Sequence, residues 1–267
     1  MATAPAGSWD SGLTTPDFAA CLSMGLEPLR LAQGFFCGQI AAWSNYQAQM
    51  VKQYQCPWGY RMGGGEHPPP GWLGVHATLD EAWTVAFSTA MERLVAEAKE
   101  AGAQGIVGIQ VDMSHPTNQN SCEVHLWGTA VRVPGAAPGP LWTTRIAGHK
   151  LAKLVEAGYV PAQVIYARCT GVMYEGCYME HYGSRMVAAG TPLAPIQDVH
   201  NLARSRALQD ASRLTNGQSL YDVEMSAHES ESGETTYVTV QVLGSAVRRV
   251  RAALPLAVPV ATLSLHD

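Results

Sequence analysis

No run of about eighteen consecutive apolar residues occurs in this chain, so no part of it is expected to cross a bilayer as a helix. The first residues, Met1-Ala2-Thr3-Ala4-Pro5-Ala6-Gly7-Ser8, lack the basic start and apolar core of an export signal. No C-x-x-C pair occurs among the six cysteines, Cys21, Cys37, Cys56, Cys122, Cys169 and Cys177. Without export they are expected to be reduced thiols, in a cytoplasmic protein. Charge is scarce at 15% of residues, which fits a chain with much surface to bury, internally or between subunits. Basic residues are outnumbered, giving a net charge of −5, which argues against a protein that tracks the phosphates of a nucleic acid. No G-x-S-x-G elbow is present, and no Cys-His pair stands beside an orienting acid. Gly63-Gly64-Gly65 is followed by Pro68, Pro69 and Pro70 instead of Lys and Ser or Thr, so it is read as a loop and not a phosphate cradle.

What is present is a pattern centred on residues 78–133. Thr78 stands three residues before Glu81, a capping-box spacing. Trp83, Phe87, Met91, Leu94, Val95 and Ala98 then recur at helical spacing until Gly102, where a helix would stop. Strands are expected over 105–111 and 123–133. Upstream, Pro16 opens a short helix over 15–24, and residues 26–36 read as a strand entering from Gly25. The first dozen residues are expected to be mobile.

After Pro134-Gly135-Ala136-Ala137-Pro138-Gly139-Pro140, a linker by composition, the same programme restarts. Gly158 and Pro161 repeat Gly25 and Pro28 at a separation of 133 positions. Residues 162–167 repeat the first strand, and a second helix over 198–215 is expected to bury Val199, Leu202, Ala203, Ala207, Ala211 and Leu214. Strands follow over 219–225 and 236–250. Gly244-Ser245-Ala246-Val247-Arg248 stands opposite Gly128-Thr129-Ala130-Val131-Arg132 at a separation of 116, so the first copy holds a net insertion of 17 residues. This order and punctuation point to a duplicated unit.

The residues Glu97-Ala98-Lys99-Glu100-Ala101-Gly102-Ala103, Gly105-Ile106-Val107-Gly108-Ile109 and Trp127-Gly128-Thr129-Ala130-Val131 resemble the YbjQ-like family, whose other label is heavy-metal-binding domain. Residues 24–28 and 157–161 resemble the segment that precedes it in longer relatives. The resemblance covers nearly the whole chain, once per half, and in the second half Asp222 replaces Gly108. It implies a small β-α-β-β sandwich with a dodecin-like subunit fold, assembling as a pentameric ring. The expected fold class is therefore α+β: two tandem β-α-β-β two-layer sandwiches, each a helix on a small antiparallel sheet. The expected partition is a first domain at 13–133 with an irregular aromatic, Gly- and Pro-rich insertion at 37–76, a linker at 134–141, a second domain at 142–250 and an apolar arm at 251–267.

One helix on three strands is a thin core that leaves strand edges and a sheet face uncovered. The last strand of each copy is apolar on one face (Val124 and Leu126; Val238, Val240 and Val242), and its other face in the second copy (Tyr237, Thr239, Gln241, Leu243) is weakly polar. A neighbouring subunit is the economical cover. Soft-metal chemistry would need three or four converging thiolates and imidazoles. The local pairs are Cys177 with His181 and Cys122 with His125, with His115 and His67 as further donors, and no closed set forms in sequence. The aromatic insertion (Trp43, Tyr46, Tyr54, Trp58, Tyr60, Trp72) is read as an anchor or interface. No catalytic, cofactor-binding or metal-binding residue is assigned and no cofactor is identified. The expected function is a non-enzymatic homo-oligomeric assembly protein, with further protein contacts through the insertion or the arm and none with nucleic acid or membrane. The alternative is a metal or small-ligand carrier.

Overall fold

The computed structural model describes residues 12–39, 73–114, 121–135, 139–174, 194–232 and 235–250. In the first half, Thr14 in an extended conformation accepts a hydrogen bond from the Asp17 amide and starts α1 (Thr15–Ser23), with proline in its first turn. The chain turns at Gly25 into β1 (Glu27–Gln39). Then come β2 (Leu73–Val75), α2 (Ala77–Glu100), β3 (Gly105–Ser114) and β4 (Ser121–Arg132). The second half runs β5 (Trp142–Thr143), α3 (Gly148–Glu156), β6 (Tyr159–Tyr174), α4 (Ala194–Leu214), β7 (Ser219–Ser232) and β8 (Thr235–Arg249). The fold is α+β with two small sheets, as expected.

Each sheet has a three-stranded antiparallel body, β1-β4-β3 in the first half and β6-β8-β7 in the second. The irregularities match too. Register slips at Pro28 in β1 and at Pro161 in β6, where a residue without an N–H cannot continue the ladder. It slips again between Val107 and Gln110 in β3 and between Tyr221 and Glu224 in β7. Each body gains a fourth strand from the opposite half. β5 lies parallel on the outer edge of β3, and β2 lies antiparallel on the outer edge of β6. The sequence reading placed residues 73–75 in the irregular insertion and residues 142–143 in the second domain. In the structure residues 73–75 form a regular strand, and both short segments satisfy backbone groups of the sheet in the opposite half. The structure also extends β1 to Gln39, β6 to Tyr174 and β7 to Ser232.

The layers stack as first sheet, α2, second sheet, α4. Ala86, Ala90, Leu94 and Ala98 of α2 pack with Ala32, Val124, Leu126 and Ala130 of the first sheet. The alanine-rich face lets the helix come close: a Cβ on Gly34 would lie 2.0 Å from the Ala90 carbonyl oxygen, so only glycine fits there. In the second half Val199, Ala203, Ala207 and Ala211 of α4 pack on Ile165, Ala167, Val238, Val240 and Val242. Two buried residues expected there are not buried. Leu202 is half-buried and Leu214 is exposed, because α4 covers β6 and β8 and stops short of the far edge at β7. The helix start also differs from the expected capping box. His76 caps α2, its Nδ1 accepting from the Leu79 amide at 3.2 Å, while Thr78 is exposed. The His76 amide donates to the Thr170 carbonyl at 2.8 Å, so pairing of β2 on β6 hands the chain straight into the helix.

The face of the second sheet for which the sequence reading expected an external cover (Tyr237, Thr239, Gln241, Leu243) is covered within the chain, by α2. The long aromatic stretch at 40–72, the pair Cys177 and His181, His67, His115 and the C-terminal arm lie outside the described residues.

Candidate functional site

A set of enclosed polar groups centred on Asp80 joins the two halves. Asp80, in the first turn of α2, reaches the outer face of β6. Its carboxylate accepts from the Thr170 amide at 2.8 Å, from the Thr170 hydroxyl at 2.7 Å and from Arg168 Nε at 3.3 Å. The Arg168 and Asp80 side chains are only 7% and 13% exposed. The Arg168 guanidinium lies 4.9 Å from the centre of the Trp83 ring, and one helical turn on, Phe87 stacks on Tyr166 with centroids 4.6 Å apart. Burial pushes the Asp80 carboxyl up, opposed by the two Thr170 donors and by Arg168. Burial also pushes the Tyr166 phenol up to about 12 and drops the His76 imidazole to about 4. A set so enclosed, with each charge met by a partner, fixes position and register and offers no reacting group to solvent. Sequence reading passed over it, although Arg168 inside the apolar run Val164-Ile165-Tyr166-Ala167 was a readable signal that a buried counter-charge must exist.

The metal candidates fare differently. On β4, Cys122 points into the core and its thiol is pushed up by burial, which disfavours the thiolate that a soft metal needs. His125, three residues on, lies on the opposite face of the strand, as alternation requires. Its ring packs edge-on against Phe35 at 6.1 Å and beside Trp127 at 4.9 Å, and its Nε2 is 3.4 Å from the Gln33 side-chain oxygen. The two residues therefore do not converge. Cys21 and Cys169 are likewise buried, and Cys169 is pushed up to about 12 by burial. Among the described residues no three His, Cys, Asp or Glu side chains come together. These residues do not fit a heavy-metal site.

Two surfaces remain. Between the halves runs an apolar groove of about 590 Å³, lined by Met24, Leu26, Leu141, Trp142 and Val155 with Arg248 among its walls. On the outer face of the first sheet, Phe35 is 43% exposed beside half-buried Trp127 and His125. No helix among the described residues is long and apolar enough to cross a membrane.

Over 169 residues, covering 61% of this chain and 56% of the relative, the chain is 28% identical to an encapsulin nanocompartment protein of Mycobacterium tuberculosis (strain ATCC 25618 / H37Rv). The chain thus spans about half the length of the curated relative it matches. Residues 74–134, which run from the end of β2 through α2 and β3 to just past β4, match the family model described as "Putative heavy-metal-binding". At these residues the chain carries a module of the YbjQ family.

Proposed function

We propose that this protein is a non-enzymatic, cytoplasmic assembly protein, a duplicated YbjQ-type module that builds a closed homo-oligomer. One observation carries the reading. The outer face of the second sheet is buried under α2 of the first half, while the equivalent face of the first sheet is covered only at its Trp127–Val131 end, by Gly12, α1 and α3, and Phe35 stays 43% exposed at the other end among the described residues. A module that needs a neighbour on that face finds one once per chain, and the second must come from another chain. The relative named for a nanocompartment supports a role in assembly. Because each chain brings two modules, a ring of whole chains holds an even number of them; a ring of five chains would hold ten. Size-exclusion chromatography with light scattering tests the proposal. A mass at a whole multiple of 28.6 kDa above one is expected, and a single 28.6 kDa species at micromolar concentration contradicts it.

The apolar groove between the halves favours a second reading, carriage of a small apolar ligand. Native mass spectrometry of untagged protein would reveal a bound adduct in that case, and a bare polypeptide mass removes it.

A further inference from the structure

The contact between the two halves is directional. α2 packs on β6, but α4 has no corresponding packing on β1. β5 completes the outer edge of β3, but among the described residues nothing pairs with the outer edge of β7, the equivalent strand. β2 completes the outer edge of β6, while the outer edge of β1 stays unpaired among them. A two-fold contact would show each of these interactions twice. Here each appears once, and among the described residues each leaves its counterpart without a partner: part of a sheet face and an edge on the first module, and part of a helix face and an edge on the second. A contact of this kind is heterologous, and its unused halves are complementary by construction because the first module already binds the second through the same structures.

We propose that the outer face of the first sheet is the docking site for α4 of a second copy of this chain, which grips it as α2 grips the second sheet. This rests on the self-assembly reading above and adds the surface and its direction. The buried stripes Ala86, Ala90, Leu94, Ala98 and Val199, Ala203, Ala207, Ala211 set the correspondence between the helices. On that correspondence Leu208, 40% exposed, stands where Val95 stands, while His200, where Phe87 stands, already pairs with Glu229 of its own β7 at 3.3 Å. On the receiving side Gln33, Phe35 and Trp127 stand where Tyr166, Arg168 and Leu243 stand. The chemistry differs in a way that fits a separate joint. The internal contact uses a buried ion pair, whereas this one sets a polar and aliphatic helix face on an aromatic patch. The β7 edge follows the same rule. Its exposed Tyr221, Val223 and Met225 lie beside an edge that no described strand pairs.

The test places a photo-cross-linking benzoylphenylalanine at position 35 of the full chain. Irradiation should give covalent dimers whose cross-linked peptides join position 35 of one copy to residues 194–214 of another. Phe35→Glu and Leu208→Glu, both at exposed positions, should each reduce the assembly to a 28.6 kDa species with unchanged circular dichroism. A wild-type chain that assembles but cross-links from position 35 to the first sheet of a second copy, or whose mass neither substitution changes, overturns this surface while leaving self-assembly standing. A wild-type chain that is monomeric overturns both readings.

Discussion

Gly108 and His76 each hold a conformation or charge state that another side chain, or another pH, would not tolerate. Gly108 sits in the left-handed region at φ +65° where β3 changes register, and Asp222 takes the same conformation at φ +53° in β7. Asp is among the few non-glycine residues that visit this region, so the replacement seen in the sequence preserves the bulge and is not a decay of it. A side chain at 108 would also meet the Ala147 Cβ at 2.9 Å. Gly108→Ala should cost about 1–2 kcal/mol in urea denaturation; a cost indistinguishable from zero would mean that the bulge relaxes freely. His76 titrates near 6.5 when unfolded and at about 4 in the folded chain. The folded state therefore binds less proton between these values. The stability His76 contributes is full above pH 6.5 and is lost as pH falls towards 4, with a slope that approaches about 1.4 kcal/mol per pH unit. His76→Asn keeps a capping side chain and removes the titration, so its stability should fall less steeply over that window. Parallel pH profiles for the two proteins would contradict the assignment.

Among the elements, the join between α2 and β6 carries the most consequence. Removing one member of a buried ion pair strands the other, so Asp80→Ala should cost about 3–5 kcal/mol. Combining it with Arg168→Met should cost clearly less than the two single changes added together, as a double-mutant cycle would measure; strict additivity would deny the coupling. This join also marks where the sequence stopped being readable. The helices and long strands were legible because Trp83, Phe87, Leu94 and Ala98 keep helical spacing, and because Gly25, Gly102 and Gly158 punctuate the chain where it turns. The two exchanged strands were not, since two or three residues carry no periodicity and their partners lie in the other half. His76 as a cap was illegible for a similar reason: its burial depends on Tyr237, far away in sequence. The metal pair Cys122 and His125 misled by its spacing, which would meet on a helix but is split across the faces of a strand.

At the scale of the whole molecule, the described residues form two sheet-and-helix halves of similar topology, joined by a contact whose counterparts find no partner among those residues. On the proposed reading, copies of such a unit would add head to tail until the rotation between modules closes a ring. In that arrangement, burying Phe35 and its neighbours would supply apolar area to the joint. Electron-microscope class averages of the purified full-length chain test this most directly. The account predicts closed particles with an even number of equivalent lobes, each the size of one module. Isolated two-lobed particles, or two-fold pairs joined first sheet to first sheet, would contradict it.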